Sequence, residues 1–162
     1  MEQVINICFV CLGNVIRSPL AEHLFRHVAQ EADRLAKYSV SSAGTDAWHV
    51  GESPDPRMRR VAATHGIQYD GTAQQLRPGD LEKYDLLFVM DQEILREVVR
   101  MARSPEQRRK IHLLREYDPS SEPGAAVPDP YYGNIFDFEE TYQIIERSVR
   151  GLFEALESGQ VF

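Results

Sequence analysis

Apolar residues along this chain follow two rhythms. Val4 to Val10 is a nearly unbroken apolar run with β-branched members, the pattern of a parallel strand buried on both faces. From about Pro19 to about Glu31 the apolar positions recur instead as Leu20, Leu24, Phe25 and Val28, one stripe of a helix that packs on a sheet. Tyr38 to Ser42 predicts a short second strand, and the stretch from Ala43 to Asp55, rich in glycine, serine and proline, a loop. A helix from about Asp55 to His65 is expected to stop at Gly66, a good C-cap, and the stretch to about Tyr84 is less regular. Leu86 to Met90 predicts a third strand, with Asp91 placed to cap the helix after it. Ser104-Pro105 starts a short helix, and Ile111 to Leu114 predicts a fourth strand. Between Glu116 and Gly133 lies a long loop rich in proline and acid. A last helix, about Phe136 to Glu157, carries Phe138, Tyr142, Ile145, Val149, Leu152, Phe153 and Leu156 at three-and-four spacing. Strands alternating with helices imply a parallel α/β sheet with right-handed crossovers.

Composition narrows the class. The 162 residues suffice for one well-buried core and are short for two, so a single domain over 1–162 is expected. No apolar run approaches membrane-spanning length, and MEQVINICFV has neither a basic leader nor a small-residue cleavage site, which makes the cytoplasm the expected location. A net charge of −7 argues against general nucleic-acid binding; the arginines between Arg96 and Arg115 could form a local basic face, and a solvated helix face explains them as well. The two cysteines, Cys8 and Cys11, sit three strand steps apart, ~10 Å, beyond the roughly 7 Å between Cα atoms that a disulfide spans. Cys8 therefore reads as core.

The chemistry concentrates in Cys11-Leu12-Gly13-Asn14-Val15-Ile16-Arg17-Ser18-Pro19, between the first strand and the first helix. A loop entering a helix turns backbone N–H groups toward its centre, and the helix N-terminus adds partial positive charge, so Leu12 to Ser18 form a cradle for a tetrahedral oxyanion. Gly13 permits close backbone approach and Asn14 accepts a left-handed conformation. Arg17 can offer paired donors to two phosphate oxygens. The same field favours a thiolate, so Cys11 is expected to be a nucleophile, with Ser18 hydrogen-bonding its sulfur. Read separately, the cysteine is an ordinary buried side chain, the arginine a surface one, and Ser18-Pro19 a helix cap and first turn. Downstream, Asp129 between Pro128 and Pro130 reads either as an exposed turn or as a general acid held over the cradle. His23 and His27 share a helix face without a third ligand, so no metal and no cofactor is expected.

The motifs CLGNVIRSPLAE, SSAG, GESPDPR, HGI, FVMD and DPYYGN, in that order, resemble the low-molecular-weight protein tyrosine phosphatases over nearly the whole chain. The flavodoxin-like three-layer order 2-1-3-4, a four-stranded parallel sheet flanked by helices, puts the switch point at the carboxyl end of strand one, where Cys11 stands. The resemblance implies phosphotyrosine hydrolysis through a phosphocysteine on Cys11, with Arg17 and the loop amides binding phosphate. Asp129 would be general acid and base, protonated through burial, negative surroundings or the bound phosphate, with an acidic optimum. It implies Trp48 on the pocket rim, although a tryptophan anchoring its own loop is the alternative, and Tyr131 and Tyr132 as further walls. Ser42 and Asp91 would support the loop, simple capping being the stronger expectation for Asp91. Phosphotyrosine proteins and a paired tyrosine kinase would be the partners.

Three departures from the family pattern stand out. Ile16 occupies the position of a second cysteine that traps oxidised enzyme, so poor thiol recovery after peroxide is expected. The histidine near Gly71 and the arginine near Gln74 are absent, which leaves Asn14 to lean on Ser18 and Ser42 alone. Ile94 replaces a common asparagine. The competing functions are arsenate reduction, disfavoured by the lack of cysteines after Cys11, phosphoarginine hydrolysis, disfavoured by Val15 where such relatives carry a hydroxyl, and a non-catalytic phosphate-binding module.

Overall fold

The structure, a computed structural model, describes residues 3–161, so the ends of the expected domain at Met1, Glu2 and Phe162 lie outside it. Four parallel strands, β1 (Ile5–Cys11), β2 (Tyr38–Gly44), β3 (Leu86–Val89) and β4 (Ile111–Leu113), lie in the order β2-β1-β3-β4. The helices are α1 (Arg17–Glu31), α2 (Pro56–Thr64), α3 (Gln92–Met101), α4 (Pro105–Arg109) and α5 (Ile135–Glu157). The expected flavodoxin-like order is therefore present, with β1 central and its carboxyl end at the point where successive crossovers diverge.

Side chains alternate along β1 and divide the core. Ile7, Phe9 and Cys11 join the cluster formed with α1, α2 and α5, whereas Cys8 and Val10 join a smaller one with Ile94 and Val98 of α3 and with Leu81. Fully burying each Leu or Phe of these clusters stabilises the fold by about 1.5–3 kcal/mol. Cys8 and Cys11 thus face opposite layers, and both are free thiols. Burial pushes the Cys8 thiol up to about 12.

The boundaries differ from expectation where tertiary pairing overrides local pattern. β1 reaches Cys11 and β2 reaches Gly44 because those residues are register partners in the ladder. α1 begins at Arg17, two residues before Pro19, so Ser18 is a helical residue and not the cap. The irregular 66–84 stretch holds a 3-10 turn, Pro78–Glu82, and another, Leu114–Tyr117, takes the start of the long acidic loop. Asp91 caps α3 as expected, Ser104 caps the short α4, and Asp55 is the cap of α2 and not its first residue, each side chain accepting a first-turn N–H, while Gly66 ends α2 at φ 81°. At α5 the cap is Asn134, in a reciprocal box with Asp137. Among the described residues no helix is long and apolar enough to cross a membrane.

Candidate active site

The segment between β1 and α1 closes on itself around Cys11. The sulfur lies 3.0 Å from Ser18 Oγ and accepts the Asn14 N–H at 3.3 Å. Asn14 adopts the left-handed conformation, φ 56°, that turns the loop. Ile16, at the N-cap, supplies no capping side chain, so the α1 N-terminus brings uncapped first-turn donors to the cradle. Arg17 is buried, its Nη1 donating to Asp91 Oδ2 at 2.8 Å and to the Val127 carbonyl at 3.0 Å. Burial works against its charge, but the Cys11 sulfur, Asp91 and Asp129 outweigh that and raise its pKa above the ordinary arginine value.

The support behind the loop is wider than the sequence suggests. Asn14 Nδ2 donates to Ser18 Oγ at 2.8 Å and to Ser42 Oγ at 2.9 Å, and Asn14 Oδ1 accepts the backbone N–H of Gln74 at 3.0 Å. Asn14 therefore does not rest on the two serines alone; a main-chain donor takes part, and such donors leave no signature in residue identity. Ser42 in turn donates to Glu22 at 2.6 Å, and the Asp55 N–H holds the Val15 carbonyl at 2.8 Å. Asp91 does two jobs, capping α3 through Oδ1 on the Ile94 N–H and holding Arg17 through Oδ2. Capping is only half of its role.

A cavity of about 360 Å³ opens over the loop. Cys11, Val15, Ile16 and Arg17 line its floor with Leu12 and Gly13, while Trp48, Tyr131, Tyr132 and Asp129 form the mouth. Asn14 and Ser18 sit behind it. Trp48 is 83% exposed and does not anchor its own loop. The sequence reading missed Asp46 and His49, which also line the cavity. His49 pairs with Glu52 at 2.7 Å, and a Cβ on Gly13 would come within 2.8 Å of its ring, so the imidazole covers the glycine.

Asp129 is exposed, a departure from burial as one of the two settings anticipated for it, whereas Asp46, Asp91, Glu93 and Glu97 line a neighbouring cavity with it. Its carboxylate lies 3.7 Å from Arg17 Nη2 and accepts the Tyr131 N–H at 3.1 Å. The two flanking prolines limit how this segment can fold, and the side chain lines the cavity. Arg57 ties the segment down. It donates to the Tyr131 carbonyl at 2.9 Å, pairs with Asp55 at 2.7 Å and lies over the rings of Tyr131 and Phe138 at 5.2 and 4.7 Å. The His23 ring is stacked on Tyr69 and has Glu22 at 3.8 Å, and His27 lies 3.3 Å from Glu31.

A thiol flanked by donors, a buried guanidinium and a carboxylate around one cavity can bind a tetrahedral anion, attack it and exchange a proton with its leaving group. Known proteins are similar to this chain in sequence and share its fold. The family model described as low molecular weight phosphotyrosine protein phosphatase matches residues 6–161. A low molecular weight protein-tyrosine-phosphatase of Streptomyces coelicolor is 40% identical over 152 residues, 93% of each chain. A protein tyrosine phosphatase of Entamoeba histolytica, solved with Hepes in its active site, superposes with a TM-score of 0.91 at 33% identity, covering 96% of this chain and 99% of that one. The YwlE arginine phosphatase aligns with a TM-score of 0.83 at 26% identity over 94% and 96% of the two chains. By sequence, over nearly its whole described length, and by fold, this chain belongs to the low molecular weight phosphotyrosine protein phosphatase family.

Proposed function

We propose that this protein hydrolyses phosphotyrosine in proteins in two steps. Cys11 attacks phosphorus in line, while the loop amides and Arg17 hold the three equatorial oxygens. The P–O bond to the phenol breaks, and Asp129 gives its proton to the departing phenolate. Asp129, now a carboxylate, takes a proton from water as that water attacks the phosphocysteine, releasing phosphate and the Cys11 thiolate. Ser18 donates to sulfur when sulfur leaves.

The observation that carries this reading is the convergence of Cys11, Arg17 and Asp129 on one cavity, with Asn14 N–H and Ser18 Oγ both at the sulfur. Substrate choice rests on depth and walls. The Trp48, Tyr131 and Tyr132 rings suit a flat aromatic ring, and the shorter phosphoserine would hold its phosphate short of the floor. Val15, buried on the cavity floor, offers no hydroxyl to a phosphoarginine guanidinium. A cytoplasmic location and a tyrosine kinase that makes the substrate belong to the same proposal.

The test is steady-state hydrolysis of matched phosphotyrosine, phosphoserine and phosphoarginine peptides in excess chelator, by wild type and by Cys11→Ser. Turnover of phosphotyrosine alone, abolished in Cys11→Ser, is the expected result. Preferred turnover of phosphoarginine would overturn the pocket argument and leave the cradle standing. Arsenate-dependent thiol consumption, or binding of phosphopeptide without turnover, would point to the rival functions.

A further inference from the structure

Of the eight large apolar side chains exposed among the described residues, all but Val4 belong to the phosphate loop, the loop after β2 or the segment from Asp129 into α5. Four of those seven line the cavity. Val50, Ile135 and Phe136, 54%, 49% and 78% exposed, do not line it, but Ile135 and Phe136 follow the cavity-lining Tyr132, 97% exposed, by three and four positions in the chain. Exposed apolar side chains that fall together next to a cavity mark interaction sites, unlike ones scattered singly.

The Ile135-Phe136 pair is held in place. Asn134 Oδ1 accepts the N–H groups of Phe136 and Asp137 at 3.0 and 3.2 Å, and Asp137 Oδ2 accepts the Asn134 N–H at 2.8 Å. A Cβ on Gly133 would lie 2.3 Å from Asp137 Oδ2, so the turn before the pair is packed tight against the box. An aromatic side chain presented on a capped helix start loses little backbone freedom when covered. Phe136 follows Tyr132 by four positions, so their Cα atoms lie within ~14 Å of each other. An extended peptide advancing ~3.3 Å per residue covers that span in about four residues.

From this arrangement we infer that Ile135 and Phe136 form a docking surface for bulky apolar side chains within about four residues of the phosphotyrosine in a protein substrate. The inference rests on the phosphotyrosine reading above. It commits to a peptide because Phe136 stands four positions along the chain from Tyr132, which lines the cavity that would hold the phosphorylated ring. Charge decides against an anionic membrane, since the chain carries −7 and Asp46, Glu52, Asp129 and Asp137 stand among these segments. The same carboxylates disfavour acidic flanks.

The experiment compares kcat/KM for phosphotyrosine peptides with leucine or phenylalanine against serine at the flanking positions, with free phosphotyrosine as reference. Wild type is expected to prefer the apolar peptide by roughly 10-fold, about one aromatic contact's worth of burial, and Ile135→Ser/Phe136→Ser to bring that ratio to within about twofold. No preference in wild type, or a preference the double variant keeps, would overturn the inference while turnover of free phosphotyrosine upheld the underlying reading. Failure of wild type to hydrolyse free phosphotyrosine would remove that reading itself. Without the peptide preference, loss in the double variant of co-sedimentation with phosphatidylserine vesicles, or of a dimer in sedimentation equilibrium, would reassign the surface and overturn the inference as well.

Discussion

At Gly44 the end of β2 comes so near the phosphate loop that an added Cβ would lie 2.6 Å from Leu12 O and 3.0 Å from Asn14 N, main-chain atoms that cannot swing away. The Thr45 and Asp46 N–H groups bond the Cys11 and Leu12 carbonyls at 3.0 and 2.9 Å, so this approach also fixes where the loop departs. Gly44→Ala should cost about 1–3 kcal/mol through forced backbone shifts. It should also weaken competitive inhibition by inorganic phosphate, because the loop amides move with their carbonyls. Urea midpoints and phosphate inhibition constants check both effects, and a variant indistinguishable from wild type would refute the tight approach. At this scale much of the site is legible from sequence: a left-handed Asn14, Arg17 toward the cradle and Ser18 at the sulfur follow from residue type and spacing. The Gln74 N–H is not, since any residue offers it.

The phosphate loop and the segment bearing Asp129 are distant in sequence, and α2 joins them. Asp55 caps α2, holds the Val15 carbonyl with its own N–H and pairs with Arg57, which reaches the Tyr131 carbonyl. Burial alone would raise the Asp55 carboxyl, but hydrogen bonds from the Arg57 side chain and backbone outweigh it and hold the pKa below the usual range. Arg57 is a positioning residue: it sets Tyr131, whose N–H bonds Asp129. In Arg57→Ala, kcat/KM should fall by about 10-fold for phenyl phosphate, whose poor leaving group needs the acid, and much less for dinitrophenyl phosphate. A loss independent of the leaving group would indicate general loosening instead. The sequence pattern yields the α2 helix and its cap. It yields no hint that Arg57 stacks between Tyr131 and Phe138, because that contact joins segments more than seventy residues apart.

Across the whole molecule, α5 is tied to the sheet by charge as well as by its apolar stripe. The Asp118 side chain has no exposed surface and meets Arg147 of α5 at 3.1 Å and Arg115 at 3.3 Å. At the far end Glu157 pairs with Arg34 and Lys37 and accepts the Tyr38 hydroxyl. Burial would raise both carboxyls, but hydrogen bonds from Arg147, Ser120 N–H and Arg115 at Asp118, and from Tyr38, Lys37 and Arg34 at Glu157, leave both below their ordinary values. With folded pKa values depressed, the unfolded chain binds more protons at acid pH. This stabilisation is complete above the unfolded values near ~4 and is lost as pH falls through the folded ones. Asp118→Asn should cost ~3 kcal/mol near neutrality, as for a broken buried pair, and progressively less below about pH 4. Urea unfolding at several pH values measures this; a pH-independent difference would exclude the ionic account.

The sequence by itself determined the order of elements, the parallel sheet, and the loop that carries Cys11, Arg17 and Ser18, because each depends on periodicity or on neighbours within one turn of chain. Cys8 also reads correctly as core, since a three-residue spacing on a strand already puts two side chains on opposite faces. Only the tertiary structure decided that Asp91 braces Arg17 while capping a helix, that Asn14 has a third partner, and that Asp129 stands exposed beside Arg17 with Arg57 holding its segment. Those contacts bridge separations of 60 to 112 residues, and a one-dimensional pattern carries no distance information at that range. The ladder register moved the ends of β1 and β2 for the same reason: pairing with a neighbouring strand, and not local preference, sets where a strand stops.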